Sequence, residues 1–224
     1  MLGFYNCDCM DGLKKTPDKY YDLAICDPPY GISYDTKAKA AAKAGKVYGS
    51  GAALKKQYHT TGWDITPPRA YFDELQRVSK AQIIWGGNYF ADMLPPSKGF
   101  ICWDKRLDER MSNDFADCEL AYLSPNLGVA RVYRYLYNGM ITGDMANKEE
   151  RIHPTQKPIC LYKWLLDHYA KPGDLILDTH VGSGSSLIAC EDMGFKYTGY
   201  EIDPTYYELA QKRIEEYKAQ LRWF

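Results

Sequence analysis

Tyr21-Asp22-Leu23-Ala24-Ile25-Cys26-Asp27-Pro28-Pro29-Tyr30 is the stretch on which the reading of the fold turns. A short apolar run ends at two prolines, which have no ladder N–H to give and must close the strand. The strand therefore delivers Asp27 to its carboxyl end. Comparable runs lie at 81–85 before Gly86-Gly87, and at 99–103, 118–123, 174–177 and 197–200. Helical patterns intervene. Residues 68–78 place Phe72, Leu75 and Val78 on one face, while 158–169 and 204–221 each open with a proline suited to a first helical turn, and Asp203 is placed to cap the last. Strands alternating with helices predict an α/β sheet, whose ligands bind beyond the carboxyl ends of the strands at a topological switch point.

The 224 residues suffice for one substantial domain, and 46% hydrophobic with 25% charged residues excludes wholesale disorder. No apolar run approaches the roughly 18 residues of a spanning helix, and the start Met1-Leu2-Gly3-Phe4-Tyr5-Asn6 lacks a secretory pattern. No membrane association and a cytoplasmic location are the expectations. Seven scattered cysteines, an odd number, argue for reduced thiols rather than a disulfide framework. Cys7 and Cys9 have no second pair and no histidine at finger spacing, so no metal is expected. A net charge of −1 means that any nucleic-acid affinity must be local.

Asp178-Thr179-His180-Val181-Gly182-Ser183-Gly184-Ser185-Ser186 follows a predicted strand and leads into Leu187-Ile188-Ala189-Cys190. Glycines there let backbone approach a ligand closely, although a tight strand-to-helix turn accounts for them equally well. Leu187 stands where a dinucleotide pattern would have its third glycine. The next strand ends at Glu201-Ile202-Asp203, an acid about twenty residues beyond the glycines, as recognition of a ribose requires. The pair points to a nucleoside-bearing cofactor.

The corner Asp27-Pro28-Pro29-Tyr30 is the more specific signal; its plain alternative is a strand-ending turn. An aromatic exocyclic amine shares its lone pair with the ring and is a poor nucleophile. Two fixed acceptors, the Asp27 carboxylate and the Pro28 carbonyl, would draw both amine hydrogens and free that lone pair without reorganising. Tyr30 would stack on the ring. Such stacking is worth about 1–3 kcal/mol, against a few kcal/mol to extrude a base from a duplex.

These residues resemble the β-class, amino-directed DNA methyltransferases, in particular the short phage and prophage versions. The likeness spans nearly the whole chain. Asp27 to Tyr30 matches the catalytic tetrapeptide, His153-Pro154-Thr155-Gln156-Lys157-Pro158 the segment lining the methionine side of the cofactor, and Asp178 to Ser186 the glycine loop. The tetrapeptide precedes the glycine loop, which is the permuted order of this class. Trp85-Gly86-Gly87-Asn88-Tyr89-Phe90 and Trp103-Asp104-Lys105 resemble walls of the target pocket.

The resemblance implies a Rossmann-like S-adenosylmethionine-dependent methyltransferase fold, with a mixed, mostly parallel twisted sheet and helices on both faces. It implies S-adenosylmethionine as cofactor, held by Asp8 and Cys9 at the adenine, Glu201 and Ile202 at the ribose, and Asp178, Gly182, Ser183, Gly184 and Ser185 at the methionine end. Thr155, Gln156 and Lys157 are expected around its carboxylate. Asp27, Pro28, Pro29 and Tyr30 are the expected catalytic residues, acting without a metal on a flipped adenine of double-stranded DNA. A homodimer is a family-level expectation. The family commonly has Asp-Pro-Phe before its glycine loop; here His180 either packs on the cofactor and titrates, or is an ordinary loop histidine.

Residues 36–63 carry Lys37, Lys39, Lys43, Lys46, Lys55 and Lys56 without a single Asp or Glu. Such a run is commonly a solvated face. Given a DNA substrate, it reads as a mobile, DNA-contacting insertion within a single methyltransferase domain, joined by Arg131, Arg134 and Arg151, with strong salt dependence. Asp rather than Ser at position 27 favours adenine over cytosine. The competing readings are methylation of a cytosine amine, of RNA or of a protein amine. From other classes come a non-catalytic DNA-binding partner subunit and a Rossmann oxidoreductase.

Overall fold

The computed structural model describes residues 2–32, 64–106, 116–138 and 141–221. Strands β1 (Gly3–Asn6), β2 (Tyr21–Cys26), β3 (Ser79–Trp85), β4 (Phe100–Asp104), β5 (Cys118–Leu123), β6 (Arg131–Arg134), β9 (Leu175–Asp178) and β10 (Lys196–Glu201) form one sheet in the order β1-β10-β9-β2-β3-β5-β4-β6. The first five in that order run parallel, and β5 is antiparallel to both its neighbours. A small hairpin pairs β7 (Tyr137–Asn138) with β8 (Ile141–Thr142).

Alternation along the strands explains the apolar runs. Leu23 and Ile25 join the core on one face, together with Ile83 and Trp85, while Ala24, Cys26 and Ile84 join the core on the other. A strand buried on both faces reads as a continuous hydrophobic run, which is why these strands are legible. Helices α1 (Cys9–Leu13) and α2 (Arg69–Val78) cover the second face through Leu13, Tyr71, Phe72, Leu75 and Val78. Helices α3 (Ile159–Tyr169) and α4 (Ser185–Met193) cover the first through Leu161, Leu165, Ala189 and Cys190. Helix α5 (Pro204–Leu221) lays Ala210 and Ile214 on Leu187 and Ile188 of α4, and Asp203 caps it by accepting from the amides of Thr205 (2.8 Å) and Tyr206 (3.2 Å).

From β2 the chain goes outward to β3, whereas from β9 it goes the other way to β10. The switch point therefore lies between β2 and β9, which pair directly through Leu23 with Ile176 and Ala24 with Leu177. Besides the short hairpin of β7 and β8, two strands of the main sheet were not anticipated. β1 is only four residues long, and β6, Arg-Val-Tyr-Arg, is an exposed edge with no apolar alternation to signal it. Among the described residues no helix is long and apolar enough to cross a membrane.

Candidate active site

Because β2 and β9 are parallel neighbours, the Asp27 corner and the glycine loop leave the same edge of the sheet on either side of the switch point. They are built differently. At the corner, Asp27 Oδ1 accepts from the Tyr30 hydroxyl at 2.7 Å and Oδ2 from Lys157 Nζ at 2.5 Å. The same ammonium lies 3.3 Å from Glu119 Oε2 and 3.3 Å from the Tyr30 hydroxyl. Glu119 Oε1 in turn accepts from Lys105 at 3.1 Å. Two cations and two anions thus alternate along one chain, Lys105, Glu119, Lys157, Asp27, and Lys157 is almost fully buried at its inner end.

Burial pushes the Asp27 carboxyl up, and the Lys157 ammonium pulls against it. Burial also works against the charge on Lys157, but Asp27 and Glu119 hold its pKa above the ordinary lysine value. Burial opposes ionisation of Glu119 as well, yet Lys157 and Lys105 keep it below the usual range. Each charge depends on the next.

Tyr30 stacks on half-exposed Tyr89, with ring centres 5.0 Å apart and planes at 18°. Its ring also lies against Gly86, which has φ of +70°; a Cβ there would fall 2.3 Å from Tyr30 Cε1. Only glycine permits that approach.

The glycine loop is organised by backbone amides. The Glu201 carboxylate takes the Gly182 N–H at 2.8 Å and the Asp203 N–H at 2.9 Å. Asp178 takes the His180 N–H at 2.9 Å and the Ser186 hydroxyl at 2.5 Å, while burial pushes its carboxyl up to about 7. Gly184, at φ of +80°, turns the chain into α4. Ser183 and Ser185 face each other at 3.1 Å, and Arg213 from α5 donates to the Ser183 carbonyl (2.8 Å) and the Ser185 hydroxyl (2.9 Å) while pairing with Glu149 at 2.5 Å.

The segment 153–158 joins the two halves. The His153 ring sits 3.7 Å from where a Gly182 Cβ would be, and burial lowers its pKa to about 3. Lys157, four residues on, reaches Asp27. This differs from the expectation that Lys157 serves a cofactor carboxylate: its ammonium is already engaged by Asp27 and Glu119. Gln156 is likewise engaged, accepting from the Ile152 N–H (2.9 Å) and donating to the Glu150 carbonyl (3.1 Å), so it closes its own loop. Thr155 bonds His153 Nδ1 through its hydroxyl at 3.1 Å.

Asp8 is exposed and caps α1 through the Met10 N–H (2.9 Å), whereas the Cys9 side chain is packed in the core rather than turned to a ligand. Ile202 is 62% exposed. The His180 imidazole meets Thr179 Oγ1 at 2.9 Å and the edge of Tyr71, and burial lowers its pKa to about 4, so it does not titrate near neutrality. Arg131 and Arg134 are exposed on β6. Arg151 donates to the Pro154 carbonyl (3.3 Å) and lies over Tyr137. The six lysines of 36–63 lie outside the described residues.

Glu119 and Arg213 escaped the sequence reading. The only local signal for Glu119 is a charge inside the apolar run Cys-Glu-Leu-Ala-Tyr-Leu. A cleft of about 990 Å³ lies elsewhere, lined by Glu149, Lys163, Arg213 and Tyr217 and by no residue of the corner.

The sheet order and the paired loops define the Rossmann-like fold of S-adenosylmethionine-dependent methyltransferases. A family model described as DNA methylase matches residues 132–212. The chain is similar to the methylase-named YubD of Escherichia coli (strain K12), 23% identical over 96% of this chain and 90% of that protein. It is 36% identical to the type II methyltransferase M.HpaI of Haemophilus parainfluenzae over 31% of this chain, which is 22% of that enzyme. In three dimensions it resembles M1.HpyAVI, solved with S-adenosylmethionine, with a TM-score of 0.56 at 21% identity over 95% of this chain and 100% of the other. The cytosine-N4-specific PvuII DNA methyltransferase superposes with a TM-score of 0.58 at 12% identity, over 96% of this chain and 90% of that one. The likeness to these solved structures shows that the chain shares their fold.

Proposed function

We propose that the chain transfers a methyl group from S-adenosylmethionine to the exocyclic amine of a flipped adenine in double-stranded DNA. The observation that carries this reading is the departure of the Asp27 corner and the glycine loop from adjacent parallel strands at one switch point. The family match and the type II relatives support a DNA amine as the acceptor. Asp at position 27 favours adenine.

The residues fit the cofactor. Register sets Asn6 beside Glu201, so Asp8 and Glu201 stand just past or at the ends of neighbouring parallel strands, two carboxylates suited to an adenine amine and to ribose hydroxyls. Glu201 is fixed by two backbone amides, and each of its oxygens keeps a second lone pair. Gly182 and Gly184, at φ of +55° and +80°, bend the backbone into α4 on the methionine side. S-adenosylmethionine bound there would supply an electrophilic methyl on a sulfonium: the nitrogen–carbon bond would form as the carbon–sulfur bond breaks to leave a neutral thioether, and the methylated amine would give up one proton to water.

At the acceptor side the chain's own residues do the rest. Asp27 Oδ1, through the lone pair that the Tyr30 hydroxyl leaves, and the Pro28 carbonyl accept the two amine hydrogens, so that the nitrogen lone pair is turned out of conjugation. Tyr30, already braced by Gly86 and Tyr89, offers its ring for stacking. Lys37, Lys39, Lys43, Lys46, Lys55 and Lys56, with Arg131 and Arg134, supply phosphate contacts.

The test is methylation of plasmid DNA with a labelled donor, followed by nucleoside mass spectrometry, for the wild type and Asp27→Ala. Methyladenine that disappears in the variant is expected. Methylcytosine would overturn the choice of base, label only in RNA or protein would overturn the substrate, and undiminished transfer by Asp27→Ala would overturn the site.

A further inference from the structure

The corner contains more ionic structure than holding an amine requires. One acceptor oxygen would suffice on Asp27, yet its other oxygen is taken by a buried ammonium, and that ammonium is shared with Glu119. Glu119 comes from β5 and Lys157 from the residue before the α3 cap, so two elements distant in sequence converge on one carboxylate. Enclosing charge in this way costs free energy unless each partner is matched. Lys105 completes the matching, with two positive and two negative groups in line.

We propose that Lys157 and Glu119 are positioning residues that act through Asp27: Lys157 fixes Oδ2 and keeps the carboxylate charged, leaving the lone pair of Oδ1 that the Tyr30 hydroxyl does not take for the acceptor amine, while Glu119 holds the ammonium in place. The catalytic consequence rests on the methyl-transfer reading above; the effect on Asp27 does not. An uncharged Asp27 would carry a proton on one oxygen and be the weaker acceptor. Lys157 is therefore what permits a carboxylate in an otherwise desolvating pocket to act as a base-like acceptor. The other groups that bear on Asp27 are the Tyr30 hydroxyl, Tyr162 on α3 and Asp178 at the end of β9; His153, Asp27 and Glu119 bear on Lys157. Of these, only Lys157 carries a positive charge in contact with Asp27.

The experiment reads Asp27 directly. In protein carrying carboxyl-labelled aspartate, the Asp27 signal is identified by its absence from Asp27→Asn, and its titration is followed by carbon NMR in wild type, Lys157→Met and Lys157→Arg. The midpoint is expected to rise by about 1–3 pH units in Lys157→Met and to stay near wild type in Lys157→Arg. In parallel, the kcat of Lys157→Met at pH 7 is expected to fall on the order of 100-fold and to recover partly at higher pH, with donor affinity within about threefold of wild type. Adding Glu119→Gln to Lys157→Met should cost nothing further, since both act through one group. An Asp27 titration unmoved by Lys157→Met would overturn the inference, as would lost donor affinity with an unchanged pH profile. Should Lys157→Met not fold, Glu119→Gln is read instead: removing its negative charge, which raises the Asp27 pKa, should lower the Asp27 midpoint while the loosened ammonium lowers kcat, and an unmoved midpoint together with unchanged kcat there would overturn the inference. Absence of methyl transfer by the wild type would sink the function and leave the NMR titration to decide this inference.

Discussion

The two loops that flank the switch point solve the same problem with different materials. The glycine loop is fixed by backbone amides closing on Glu201 and Asp178, with Arg213 donating to the Ser183 carbonyl and the Ser185 hydroxyl. The corner is fixed by ionised side chains drawn from β2, β5 and the segment before α3. Backbone organisation is local and survives most side-chain changes; ionic organisation is assembled from afar and fails when one member is lost. The loop therefore suits a constant cofactor, and the corner suits a group whose electronic state must be controlled.

The sharpest way to break this contrast is at Asp27. Asp27→Ala removes the acceptor and leaves Lys157 as a buried cation facing only Glu119 and Tyr30. Transfer is expected to fall on the order of 10²–10³-fold or more, while donor binding, measured by titration calorimetry, changes little. Equal losses of turnover and of donor affinity would mean that the two loops are not separable.

Gly86→Ala comes next, because it disturbs the corner through packing alone. Alanine at φ of +70° costs about 1–2 kcal/mol, and its Cβ would meet Tyr30 Cε1 at 2.3 Å. The Tyr30 ring must move, taking its hydroxyl from Asp27. Steady-state kinetics should show a loss of about 10-fold to 100-fold in kcat/KM for DNA, with little change in KM for the donor. A variant with normal kcat/KM for DNA would remove Tyr30 placement from the account.

On the glycine-loop side, His180→Phe tests the departure from the family pattern. The folded-state pKa of His180 is lowered to about 4, so the folded protein keeps the ring neutral while the unfolded chain binds a proton below about 6.5. Its contribution to stability is therefore full above pH 6.5 and declines as pH falls towards 4, at no more than about 1.4 kcal/mol per pH unit. Denaturant midpoints between pH 7 and 4.5 should fall less steeply for His180→Phe than for wild type. The rate profile above pH 6 should not move, and if it did, His180 would be titrating in the working enzyme.

Legibility divides along the same line. Asp27, the glycines and Glu201 are readable because each sits at the end of a short apolar run, whereas the strand order comes from the structure alone. His153 and Lys157 are readable as parts of one motif, but their separate attachments to Gly182 and to Asp27 are not, since nothing local says where a side chain reaches. Glu119 lies 92 positions from Asp27, and Arg213 approaches the loop from the last helix. Long-range ionic partners carry no periodicity, so only the fold reveals them. β6 was missed for the related reason that an exposed edge strand has no buried face to impose a pattern.

The opposite edge of the sheet supplies the smallest and cleanest control. At the start of β2, Asp22 accepts from the Leu175 N–H at 2.9 Å and pairs with Lys80 at 2.6 Å, tying together β2, β9 and β3, the strands that carry the corner and the loop at their far ends. Burial opposes ionisation of Asp22, but Lys80 and the Leu175 amide hold its carboxyl below the usual 3.8. Its stabilisation is therefore complete above about pH 4 and is lost as pH falls through the lowered value. With Lys80 half-exposed, Asp22→Asn should cost only about 0.5–1 kcal/mol and lower Tm by about 1–4 °C at pH 7. The difference in Tm should shrink below pH 4, and turnover at saturating donor and DNA should be unchanged. If this distant substitution lowered turnover as Gly86→Ala does, strand placement rather than the charges around Asp27 would govern the corner.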